Sequence, residues 1–264
     1  MSNADDDDKL WRYPKDADKL ETWEEGVDIS VIKTPAAWDT YDVQIQTVIA
    51  AYTNHLNGTP GFVPLDWQKV KAMLWVETGA DLLKDWKRNP MQIGNPGDKG
   101  LHDLLTSPHG KIILPKAYAT VLNLANVPND GKLSIEAGIG YLLRRLANFN
   151  LVPVEIKAPL PPVPPSSTKT PPDAHRHPGA HHHQAAHKSS AKKHPVPTSL
   201  KITSWKAFTF PWVASTYNNH GDGNYADKLQ YAYDIITGKH IPQLPQKSVD
   251  NKKKSVHHKH HKKI

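Results

Sequence analysis

The 264-residue chain contains no cysteine, which removes disulfide frameworks, thiolate nucleophiles and Cys-ligated metal sites from consideration. That absence fits an intracellular protein, and fits equally a chain living in an oxidising compartment. No apolar run approaches the roughly 18 residues that a membrane-crossing helix needs, so no membrane span is expected. Neither a G-X-Y repeat nor sustained heptads occur, which excludes collagen and coiled coil. No basic stretch leads into an apolar core near the start, so no secretory signal is visible. Ser2-Asn3-Ala4 followed by Asp5-Asp6-Asp7-Asp8-Lys9 reads as a cloning scar joined to a protease-recognition run, a native acidic start being the alternative. Residues 1–9 are set aside from fold reasoning.

What the chain has in excess is proline and histidine, 23 and 16 residues, and both are local. Eleven prolines and seven histidines fall between Leu151 and Leu200. The charge is local too: of the net +7, residues 151–200 carry +4 and residues 246–264 carry +6, which leaves −3 for the rest. The basic balance therefore describes two segments and not a folded surface, and a specific nucleic-acid footprint is not supported. Residues 153–199 lack apolar periodicity and read as a disordered Pro/His-rich tether, with Pro159–Pro165 polyproline-like. Residues 246–264 read as a disordered Lys/His tail that would attract anionic polymers without specificity. Residues 10–152 and 200–245 show globular pattern. The second is too short to be comfortable alone, so both are read as parts of one domain interrupted by the tether.

The globular pattern is mainly α. Trp38, Tyr41, Ile45, Val48, Tyr52 and Leu56 lay one stripe along a helix from Thr34-Pro35 to Asn57-Gly58. A second helix runs from Asp66, a plausible N-cap, to Glu77, with Thr78-Gly79 as its stop. Pro90 to Gly100 is a loop. Helices are expected near Leu101–Leu105 and Lys116–Ala125, and a stronger one over Ser134–Asn148. The last shows Tyr225, Leu229, Ala232 and Ile236 on one face.

Glu77 is the most informative residue. It lies on the apolar stripe of its helix and at the helix's negative end, and both settings disfavour the ionised carboxylate. A carboxylic acid still protonated near neutral pH is what a glycosidic oxygen requires of a general acid. The bland alternative is a last-turn Glu facing solvent, or paired with Lys71 or Lys84.

The surroundings of Glu77 sharpen this. Trp75-Val76-Glu77-Thr78-Gly79 resembles the E-S/T-x core of the lysozyme-like lytic transglycosylases and goose-type lysozymes. Met91-Gln92-Ile93-Gly94 resembles that family's G-L-M-Q-I segment, although Asn89-Pro90 stands where relatives have Gly-Leu. Gly138-Ile139-Gly140-Tyr141-Leu142-Leu143 resembles its G-x-x-Y-L helix, and Thr216-Tyr217-Asn218 its A-Y-N motif. Tyr225-Ala226-Asp227-Lys228-Leu229 stands where the family carries a Y-V-x-K-V helix. The resemblance implies a helical lysozyme-like (transglycosylase) domain that cuts the β-1,4 bond between N-acetylmuramic acid and N-acetylglucosamine, without cofactor or metal. By the same resemblance Glu77 is the catalytic acid and then base. Thr78, Met91, Gln92, Ile93, Tyr141, Tyr217 and Asn218 would bind substrate, with the Tyr217 hydroxyl near the Glu77 carboxylate. Half-buried aromatic packing is the alternative for both tyrosines.

A hydrolytic muramidase needs a second carboxylate to hold water. Asp81, Asp85 and Asp98 lie in the right region and Asp98 is the best candidate, loop chemistry being the alternative for each. The preferred reading is a transglycosylase forming a 1,6-anhydro product on peptidoglycan glycan strands. It would be made in the cytoplasm and would act in the periplasm or cell wall, exported to a target cell as an antibacterial effector, with a secretion apparatus and an immunity (inhibitor) protein as implied partners. The alternatives are a phage-type endolysin, a non-catalytic glycan-binding protein of lysozyme-like fold, and a His-rich metal buffer. For the last, the histidines of the tether and tail offer no fixed ligand spacing.

Overall fold

A computed structural model describes residues 14–79, 83–154, 198–217 and 221–245. The tail, most of the tether and the start of the chain, with their histidines, lie outside the described residues, as do Asp81 and Asn218.

The chain is mainly helical. The first helix among the described residues is α1 (Ala17–Lys33), whose N-cap Asp16 accepts from the Lys19 amide. The stripe from Trp38 to Leu56 does not form one helix but two, α2 (Pro35–Trp38) and α3 (Asp42–Leu56). The break has a cause distant in sequence. Lys71 is almost wholly buried, and its ammonium reaches Asp39 at 2.5 Å and Asp42 at 2.7 Å. A buried cation needs such partners; Asp39 in the turn after α2 and Asp42 at the start of α3 supply them.

Helix α4 (Trp67–Thr78) starts where expected, with the Asp66 side chain accepting from the Gln68 amide, and ends at Gly79, whose φ of 66° few side chains tolerate. Shorter helices follow: α5 (Leu83–Arg88), α6 (Gly100–Thr106), α7 (Pro108–Ile113) and α8 (Lys116–Val121). Helix α9 (Gly131–Leu146) is capped by Asp130, which accepts from the amides of Lys132 and Leu133. Its Gly138 is required by close approach: an added Cβ would stand 2.5 Å from the Met91 side chain. Trp38, Trp75 and Trp86 stack with ring centroids 5.0 and 5.1 Å apart, tying α2, α4 and α5 into one core.

Two strands, β1 (Ala147–Pro153) and β2 (Thr198–Trp205), form a two-stranded sheet. The Lys206 amide donates to the Leu146 carbonyl and Asn148 pairs with Ser204 at 2.9 Å. The partner number falls as the residue number rises, so the strands run antiparallel. Among the described residues two further helices follow, α10 (Phe210–Thr216) and α11 (Tyr225–Ile236). The described residues through Phe149 and from Ile202 onward make one compact unit. A second spans Asn150–Lys201, of which the outer strand ends, 150–153 and 198–201, are described. Among the described residues no helix is long and apolar enough to cross a membrane, and no cluster of three potential metal ligands occurs.

Candidate active site

In the first unit a cleft enclosing about 670 Å³ opens over the end of α4. Glu77 forms its inner wall, faced by the loop before α6, by Tyr141 of α9, by Tyr217 at the end of α10 and by Tyr225 at the start of α11.

The position of Glu77 follows from α4. Its helical neighbour Thr78 turns about 100° away, into the core, where its hydroxyl donates to the Leu74 carbonyl at 2.8 Å. Burial raises the Glu77 carboxyl to a pKa of about 7, opposed in part by a hydrogen bond that the Tyr225 hydroxyl donates to Oε1. The carboxyl is therefore about half protonated at pH 7 and largely protonated below it.

Tyr225 is itself held. Asn224, almost fully buried, donates to the Asp16 carbonyl at 2.6 Å and accepts from the Asp16 amide at 3.1 Å, so the start of α1 fixes the start of α11. Burial, then the neighbouring Glu77 charge, lifts the Tyr225 phenol well above its ordinary range. Tyr225 thus stays protonated, a permanent donor. The same two causes raise Tyr217, whose ring lies 5.9 Å from that of Tyr141 across the cleft. The hydroxyl expected on Glu77 was that of Tyr217. The structure gives the bond to Tyr225 and leaves Tyr217 beside it in the wall.

The loop between α5 and α6 is held by a buried network. Asn89, with no exposed surface, donates to the Ile93 carbonyl and to Asn95 and accepts from the Ser134 hydroxyl at 2.6 Å; Ser134 in turn accepts from the Met91 amide. Gln92 sits at φ 48°, the left-handed region, with its side chain tied to Asn89 and Asn95. Gln92 and Ile93 reach the cleft, as expected. Met91 and Thr78 are not part of its lining: Met91 is buried against Gly138, and Thr78 is buried in the core.

Asp98 borders the cleft, but its two oxygens accept from the Gly94 amide at 2.8 Å and the Gly100 amide at 2.7 Å. It holds the loop in shape, as an Asx-type turn residue does. Asp85 lies on α5, 3.6 Å from Arg88, and outside the cleft lining. Lys71 is engaged by its two aspartates and not by Glu77. Sequence reading missed Asn89, Ser134 and Asn95, and also Asp103, Asp222 and Lys228, which line the cleft. A signal existed only for Tyr225, the first residue of an amphipathic stripe.

Comparison with known proteins finds no family model, no curated protein and no solved structure that matches this chain.

Proposed function

We propose that this protein cleaves peptidoglycan glycan strands as a lytic transglycosylase of lysozyme-like fold. One observation carries the reading. Glu77 is a carboxyl with a pKa of about 7, set in the wall of a cleft and hydrogen-bonded by a phenol that brings no charge. The order of the family-like segments along the chain supports it.

Tyr225 donates to Oε1, so the transferable proton of Glu77 sits on Oε2. That proton passes to the oxygen linking N-acetylmuramic acid to N-acetylglucosamine as the C1–O bond breaks, and the substrate's acetamido oxygen supports the carbon left electron-poor. Glu77, now a carboxylate, removes the proton of the muramic 6-hydroxyl, whose oxygen closes on C1. The product is a 1,6-anhydro sugar and the acid is regenerated. Hydrolysis by a second carboxylate is the less favoured route, because each Asp98 oxygen already accepts from a loop amide and the group serves to shape the loop.

Digestion of purified sacculi by wild type and Glu77→Gln, with mass analysis of the muropeptides, tests the reading. Wild type should release products lighter by one water than hydrolytic ones, and the variant should be at least about 100-fold slower. No release by wild type refutes the enzyme. Equal release by the variant refutes the assignment of the acid, and products of hydrolytic mass refute the anhydro route.

A further inference from the structure

A second cavity, of about 320 Å³, adjoins the cleft and is lined by His109, Arg144, Arg145, Phe149, Lys206 and Thr216. It has a built electrostatic character. Arg144 and Arg145 close the last turn of α9, and the backbone bond from Lys206 to Leu146 places a third cation beside them. Asp103 approaches Arg144 at 3.5 Å and is half exposed. The Arg144 Nε has no partner among the described residues. Arg145 makes only a 3.5 Å contact with the Thr216 carbonyl, and Lys206 has no ion pair among the described residues. Three cations facing one acid make an anion site, in a chain that is net acidic outside its tether and tail.

The cavity is not purely ionic. The Phe149 ring forms one wall, with the His109 ring edge-on at 4.5 Å. It also neighbours the cleft: Thr216 lines both, and Asp103, the partner of Arg144, lines the cleft. A ligand lying here would combine carboxylates with small apolar groups and would be attached to whatever occupies the cleft. We propose that this cavity binds the carboxylates of the peptide stems carried by the glycan strand, so that the preferred substrate is peptide-bearing and not stripped glycan. The inference rests on the peptidoglycan reading above.

Two measurements separate them. In the first, calorimetric titration of the full chain with free stem tetrapeptide, with the same peptide capped at its carboxylates, and with inorganic phosphate needs no catalysis. The uncapped peptide should bind, and capping, or the double change Arg145→Gln/Lys206→Gln, should each weaken it by about tenfold or more. Equal affinity for capped and uncapped peptide, unchanged affinity of the variant, or tighter binding of phosphate than of peptide would overturn the proposal, the last in favour of a phosphate polymer. In the second, turnover is compared on peptide-bearing strands and on strands stripped by an amidase. The double variant should raise KM about tenfold on the former, leaving kcat and the stripped substrate unchanged, and equal effects on both substrates would refute it. If wild type cleaves neither strand, the catalytic reading fails while the titration still decides the site.

Discussion

Glu77 couples chemistry to stability through one proton. Folding lifts its pKa from an ordinary value near 4.5 to about 7, so the folded chain holds that proton more tightly than the unfolded chain does. The resulting stabilisation is full below about pH 4.5 and is lost as pH rises through 7. Glu77→Gln carries no such liability. Its melting temperature should match wild type near pH 4 and exceed it at pH 8, by the equivalent of about 3 kcal/mol. Scanning calorimetry at the two pH values decides this, and a constant difference would sink it. Tyr225→Phe removes the donor that favours the carboxylate, so the alkaline limb of kcat/KM should move upward in pH. Tyr217→Phe should leave that limb in place, since no hydrogen bond joins Tyr217 to Glu77. Both tyrosines are aromatic residues near a turn or helix end, and nothing local in the sequence tells them apart. The choice is made by Asn224 binding Asp16, 208 positions away.

Elements with local causes were legible, and those with distant causes were not. Helix α4 is bounded by Asp66 and Gly79, a cap and a stop readable in place, and so the setting of Glu77 could be read correctly. Helix α1 was missed because its inward face is thin, with only Val27 and Asp28 fully buried. The break between α2 and α3 was missed because Lys71 causes it from about 30 residues downstream. Phe149 continues the 4-3-4-3 spacing of α9 yet belongs to β1, because the backbone pairing of Leu146 with Lys206 ends the helix there. The loop expected over Pro90–Gly100 is present, but its rigidity comes from Ser134 on α9. Asn89→Ala should cost about 2–4 kcal/mol, by leaving buried groups unpaired and freeing a strained Gln92. Gly138→Ala should cost about 1–3 kcal/mol through its clash with Met91. Adding Met91→Ala should recover part of that loss, and chemical denaturation of the two single variants and the double variant measures the coupling.

For the whole molecule, the antiparallel register continued outward sets Pro153 opposite Ser199, so the chain leaves and re-enters at neighbouring points. The loop-closure cost of a long intervening segment grows only slowly with its length. Replacing residues 155–197 by a short Gly-containing turn should therefore leave the melting temperature and sacculus cleavage within error of wild type, and a large loss of either would show that the segment contributes to the domain. The same long-range logic governs Glu77. Its desolvation and its phenol partner come from α10 and α11, 148 positions further along the chain in the case of Tyr225. On a ribosome, α4 emerges well before them, and a nascent chain bearing an open Glu77 would hold an ordinary, ionised carboxylate with no proton to give. A product truncated before α11 would therefore keep Glu77 but lose the phenol that hydrogen-bonds it.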